Sequence, residues 1–201
     1  MSDNQILTSP PKPRPAPGER RIQILQMLAQ MLEMPSAERI TTALLAKRLG
    51  VSEAALYRHF ASKAQMFEGL IEFIESSVFG LMNQITERET NPAVQCHQMA
   101  TVVLSFGEKN PGMTRVMVGD ALVFEHERLQ MRMNQFFDKI ESHLKQAMRD
   151  LYAASDTPTA DANARASVLT AVLVGRLQRY ARSNFKRLPT ENLTATLALM
   201  V

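Results

Sequence analysis

The stretch from Ser52 to Lys63, SEAALYRHFASK, crowds hydroxyl, phenol, guanidinium, imidazole and ammonium groups into one short segment. None is paired at a spacing that makes a nucleophile or a metal site, so their chemistry is recognition: donors for phosphate oxygens and base edges. Leu56 and Phe60 alone recur at the i, i+4 spacing of a buried helical face, which leaves Glu53, Ala54, Ala55, Tyr57, Arg58 and His59 facing outward. Ala54 and Ala55 let a helix backbone approach base edges, and each offers a methyl to a thymine methyl. Ser52, Tyr57 and His59 can donate to phosphates, while Arg58 reaches either a guanine edge or the backbone. Ser62 is placed to cap the next helix, with Lys63 in its first turn. A cation is disfavoured there by the helix dipole, and a phosphate beside the same terminus removes the conflict.

Such a helix needs a frame. Thr41 or Thr42 can cap a preceding helix, on which Leu45, Ala46 and Leu49 share one face. Gly50 follows, where a left-handed backbone is required, and Val51 turns back into the core. Two short helices around such a turn form a helix-turn-helix, whose second helix enters the DNA major groove. Thr41 and Thr42 therefore join Ser52, Ala54, Ala55, Tyr57, Arg58, His59 and Lys63 as the candidate DNA-binding set. A first helix over Glu19–Met34, with Ile22, Leu25, Leu28, Ala29 and Leu32 at helical spacing and Pro35-Ser36 as its stop, completes a three-helix domain at 19–62. Residues 1–18 form a tail with five prolines, expected to be extended or disordered, and its Lys12 and Arg14 suit a DNA backbone or a solubilising role.

Residues 63–201 read as a second, helical domain. A long helix from Lys63 to about Thr90 repeats Met66, Phe67, Leu70, Ile71, Ile74, Val78, Leu81, Met82 and Ile85 at threes and fours, and spans about 40 Å. Phe73 lies off that stripe, as a ring for a partner or for a neighbouring helix. Asn91-Pro92 opens a helix to about Glu108, and Asn110 is placed to cap a short one led by Pro111. Further long helices run from Glu125 or Glu127 to Leu151, and from Asp161 to Phe185 after a loop at Thr157–Thr159. The last carries Val168, Val172, Leu173, Leu177 and Tyr180 on a broad apolar surface. It predicts burial against the body of the subunit and against a second copy, a dimer interface. No strand pattern occurs, and the fold class is all-α with about nine helices.

Catalytic constellations are absent from the pattern. The histidines His59, His97, His126 and His143 include no i, i+4 metal pair, and Glu125-His126-Glu127 diverge by about 100° per residue on a helix. No glycine-rich phosphate loop is present. The expectation is a non-enzyme without metal or cofactor. One cysteine among 201 residues, Cys96, allows no internal disulfide and suggests a cytoplasmic setting. No apolar run is long enough to span a bilayer, and the polar, proline-rich start reads as no signal peptide. The net charge of +3 is modest, so a nucleic-acid surface has to come from placement of charge.

Leu56-Tyr57-Arg58-His59-Phe60 followed by Ser62-Lys63 resembles the DNA-binding domain of the tetracycline-repressor family, which implies that fold: an N-terminal helix-turn-helix domain and a C-terminal helical dimerisation domain. Within the family, four blocks resemble the nucleoid occlusion factor branch: RITTALLAKRLGVSEAALYRHFASKAQMFEGLIEFIE from Arg39, FGEKNPGMTRVM from Phe106, ALVFEHERLQMRMNQFFDKIE from Ala121, and RYARSNFKRLPTE around Phe185. The resemblance implies a nucleoid-associated homodimer on palindromic chromosomal DNA. It further implies that the DNA-bound protein antagonises polymers of the division protein FtsZ. It maps partner binding onto Phe73, Val102, Lys109 and Asn110, and departs from the branch at Ser105, Lys109 and Leu81. The alternative within the family is a repressor released from DNA by a small ligand, with methionines lining its pocket.

Overall fold

The computed structural model describes residues 18–34, 40–154, 156 and 158–201. Lys12 and Arg14 of the tail, the helix stop at Pro35-Ser36 and Thr157 of the expected loop lie outside the described residues. Regular structure among the described residues is helical throughout: α1 Glu19–Glu33, α2 Thr42–Leu49, α3 Glu53–Tyr57, α4 Lys63–Arg88, α5 Pro92–Lys109, α6 Pro111–Met117, α7 Glu127–Leu151, α8 Pro158–Arg182 and α9 Leu193–Leu197, with a 3-10 turn at Asp120–Leu122.

The first three helices close on the start of α4. Their core side chains are Ile24, Leu28, Leu45, Leu56 and Phe60, at most 1% exposed, and they continue directly into Met66, Phe67 and Leu70 of α4. Here the expected stripe of α1 is rotated: Ile22 is 57% exposed, and Ile24 and Met31 take core positions instead. The reason is that α1 has two neighbours, α2 with α4 on one side and α6 on another, and the centre of its buried arc falls between them. The contact with α6 is backbone to backbone. A methyl on Gly112 would lie 2.0 Å from the Ala29 carbonyl oxygen, so only glycine lets the two helices meet there.

Beyond the junction, α4 and α5 pack together, and α7 and α8 make the most extensive helix contact among the described residues. Leu81 of α4, expected on the buried stripe, is 46% exposed, because Met82 takes the inward position and adjacent residues diverge round the helix. The helix α8 starts at Pro158, three residues ahead of the expected Asp161, since proline fits a first helical turn. It stops at Arg182, short of Phe185, because Asn184 and Phe185 take left-handed φ values of 50° and 61°. The Phe185 ring then meets Tyr180 edge-on at 5.1 Å.

The apolar surface of α8 divides in two. Leu173 and Leu177 are fully buried and Tyr180 nearly so, inside their own subunit, with the Tyr180 hydroxyl donating to the Glu108 carbonyl at 3.0 Å. These three are corrected from the expected dimer face, because their contacts are already taken by α5, α6 and α7. Val168 remains exposed and Val172 half-buried on the outer side. A short α9 follows, in a stretch where the sequence pattern names no helix. Arg176 fastens it by donating to the carbonyls of Pro189 and Glu191, each at 2.8 Å, and to Thr196 Oγ1 at 2.5 Å.

Candidate nucleic-acid interface

Every turn of the helix-turn-helix is closed by a local hydrogen bond. Thr41 Oγ1 accepts from the Leu44 amide at 3.2 Å, which makes Thr41 the cap of α2. Gly50 has φ 65°, and its amide reaches back to the carbonyls of Ala46 and Lys47. Ser52 Oγ accepts from the Ala55 amide at 3.2 Å to start α3. Ser62 Oγ accepts from the Gln65 amide at 3.2 Å, and Gln65 Oε1 accepts from the Ala61 amide at 2.8 Å, a reciprocal pair that fixes the entry into α4.

On this frame α3 buries Leu56 and Phe60 and exposes Ala54, Tyr57, Arg58 and His59. The helix proper is five residues long, and Arg58 and His59 belong to the turn that follows it. Arg21 of α1 braces that turn: its guanidinium donates to the His59 carbonyl at 2.6 Å and lies 4.0 Å above the Phe60 ring. Thr42 Oγ1 donates to Glu53 Oε2 at 2.6 Å and accepts from the Tyr57 hydroxyl at 3.5 Å, a cluster joining α2 to α3. Arg21, Glu53 and Gln65 thus position the recognition surface. Ser62-x-x-Gln65 announces its cap in the sequence, whereas Arg21 is 38 residues from His59 and gives no local signal.

Lys63 begins α4 as expected, but its ammonium is ion-paired with the Glu125 carboxylate from the connection ahead of α7. The side chains are 19% and 9% exposed. Arg128 meets Glu68 at 2.8 Å, and Arg132 grips Glu75 through two contacts of 3.1 and 2.6 Å. This row ties α7 to α4 from the recognition end downward. The Glu75 hydrogen bond outweighs burial and pushes the Arg132 pKa up.

Farther along α4, Phe73 is 49% exposed and its ring lies 6.4 Å from that of Phe106 on α5. Asn110 does not cap α6, as its side chain donates back to the Phe106 carbonyl at 2.8 Å and closes α5 instead. This is a correction with a simple cause: the two helices are contiguous, and the unpaired carbonyl at the end of α5 is the nearer partner. Phe73, Phe106 and Asn110 therefore share one seam, with Val102 half-buried a turn before Phe106 and Lys109 exposed beside it. Cys96 is fully buried, and desolvation pushes its thiol up to about 11, a packing residue rather than a nucleophile.

Residues 32–70, covering the turn and its flanking helices, match the family model described as "Bacterial regulatory proteins, tetR family". Residues 90–201 match the SlmA-like model described as "Tetracyclin repressor-like, C-terminal domain". Nucleoid occlusion factor SlmA of Idiomarina loihiensis is 50% identical over 182 residues, covering 90% of this chain and 93% of that relative. The chain belongs to the SlmA branch of the tetracycline-repressor family. SlmA of Vibrio cholerae serotype O1 is likewise 50% identical, over 184 residues and with 90% and 93% coverage. Solved regulators support the fold alone. The ketosteroid transcriptional regulator KstR2 of Mycobacterium tuberculosis superposes with a TM-score of 0.72 at 16% identity, over 91% of this chain and 93% of that one. The regulator PfmR from Thermus thermophilus gives 0.71 at 18%, over 90% and 94%. The matched residues 32–70 include α3 and the turn that follows it, where Tyr57, Arg58 and His59 are exposed. No helix among the described residues is long and apolar enough to cross a membrane.

Proposed function

We propose that this chain acts as a nucleoid occlusion factor: a homodimer that binds palindromic chromosomal sites in the cytoplasm and, when on DNA, antagonises FtsZ polymerisation over the nucleoid. The observation that carries this reading is the braced α3, with Tyr57, Arg58 and His59 exposed above buried Leu56 and Phe60, in a chain half identical to SlmA proteins. Thr41, Thr42, Ser52, Ala54, Ala55 and Lys63 complete the DNA surface in this proposal. Phe73, Val102, Lys109 and Asn110 form the FtsZ surface. The dimer forms over the outer side of α8. Two recognition helices in one dimer then sit about 34–36 Å apart, one helical turn of DNA.

The deciding experiment sediments FtsZ polymers with the protein, with and without its DNA site. Disassembly that requires the DNA supports the proposal. No effect on FtsZ, together with release from DNA by a metabolite, supports the ligand-responsive repressor instead. Two variants probe the surfaces. Lys63→Ala is expected to weaken binding to every duplex and to reduce the slope of log affinity against log salt by about 0.9, one phosphate contact. An unchanged slope in a salt titration removes Lys63 from the phosphate-binding set. Val168→Glu places a charge on the exposed side of α8, where Val168 is 56% exposed, and is expected to yield a folded monomer. Sedimentation equilibrium reads the outcome, and an intact dimer moves the interface elsewhere.

A further inference from the structure

The row of ion pairs between α4 and the α7 side reverses its polarity at one end. In the two rungs farther from the recognition helix, α4 supplies the carboxylate and α7 the arginine: Glu68 with Arg128, and Glu75 with Arg132. In the rung nearest the recognition helix, α4 supplies the cation, Lys63, and the connection supplies the anion, Glu125. That cation stands at the very start of a 26-residue helix, beside the Ser62 cap, where the dipole calls for negative charge. Glu125 provides it from within the chain.

We propose that Glu125 is an internal substitute for a DNA phosphate: it holds Lys63 in the DNA-free protein and yields it to the duplex backbone on binding. This rests on the reading of Lys63 as a phosphate contact. The exchange is chemically even, one oxyanion for another on the same ammonium, so the helix start keeps its counter-charge throughout. The other two rungs involve no cation on α4 that a phosphate can capture, and they keep α7 attached while the first opens. Leu122, 4% exposed, anchors the connection to the core, and past that anchor Val123 is 69% exposed, so the Glu125 end has little apolar burial of its own to lose when it moves. DNA occupancy is thereby registered at the N-terminus of α7, and Glu125 sets an upper limit on DNA affinity that Lys63 alone would exceed.

The test is a double-mutant cycle on the full-length protein with random-sequence duplex DNA, since backbone contacts are independent of sequence. Glu125→Gln keeps the size of the side chain and one acceptor oxygen and removes its charge. It is expected to tighten binding roughly two- to fivefold, and to have no effect in the Lys63→Ala background. Amide exchange gives a second reading on the unmutated protein: residues 123–126, beyond the Leu122 anchor, lose protection when duplex is added, and in Glu125→Gln they exchange fast beforehand. Three results overturn the proposal. Weaker binding by Glu125→Gln means that Glu125 aims Lys63 at the DNA rather than withholding it. Equal tightening in the Lys63→Ala background reduces the effect to general charge repulsion. Unaltered exchange of residues 123–126 on DNA binding leaves the pair closed. Failure of the underlying site reading is distinct, because there Lys63→Ala itself leaves affinity and salt slope unchanged.

Discussion

Replacing Gly112 by alanine is expected to force α6 away from α1 and to destabilise the protein by about 2–3 kcal/mol. The added methyl would stand 2.0 Å from the Ala29 oxygen and 2.9 Å from its carbonyl carbon. Both are backbone atoms, so no rotamer change relieves the overlap and one helix has to slide. Because α1 carries the Arg21 brace on the recognition turn, the shift also reorients the DNA-reading unit relative to the body. Affinity for the palindromic site is therefore expected to fall further than affinity for random duplex, since a fixed separation of two reading helices matters only for the former. Thermal unfolding and paired titrations check both effects, with a fall in melting temperature of roughly 4–12 °C. Gly80→Ala serves as the control. A methyl there meets nothing within 4 Å, and alanine in mid-helix is worth about 0.5–1 kcal/mol of added stability. A Gly112→Ala protein as stable as the parent means that the α1–α6 contact is looser than its geometry states.

The recognition element was legible in the sequence because each of its turns is closed by residues a few positions apart. Thr41, Gly50, Ser52 and Ser62 are caps that local rules identify, and each sits where those rules place it. What escaped depends on contacts distant in sequence. Lys63 finds Glu125 across 62 residues, and Arg21 finds His59 across 38. Periodicity located the helices but could not say how wide a buried arc each would have. Ile22 and Leu81 belong to the apolar pattern yet face outward, because the arcs of α1 and α4 are set by the positions of several neighbours. The same holds for α8: the pattern presented Val168, Leu173, Leu177 and Tyr180 as one surface, and only packing separates the first from the other three. The glycine at 112 carries no pattern at all. Its role follows solely from the crossing of α6 over α1.

Phe73→Ala is expected to leave DNA binding and folding intact and to abolish FtsZ antagonism. The ring is 49% exposed, and Phe106 lies beside it at 6.4 Å between centroids. Its removal opens no enclosed cavity, so the stability change is expected to stay below about 1 kcal/mol. An exposed aromatic edge backed by a second ring, with Lys109 exposed three residues past that ring on α5, is a different matter for a partner. Aromatic anchors of this kind typically account for about 2 kcal/mol or more of binding, roughly a thirtyfold loss of affinity on truncation. A lysine at such a surface adds attraction for acidic groups on a partner, and that contribution weakens with salt. Two measurements on the same variant separate the possibilities: the melting curve with duplex affinity, and the sedimentation of FtsZ polymers in the presence of the DNA site. Loss of FtsZ antagonism with unchanged melting and duplex binding places the partner on the Phe73–Phe106 seam. Loss of all three makes Phe73 a packing residue, and retention of all three moves the partner to another face of the molecule.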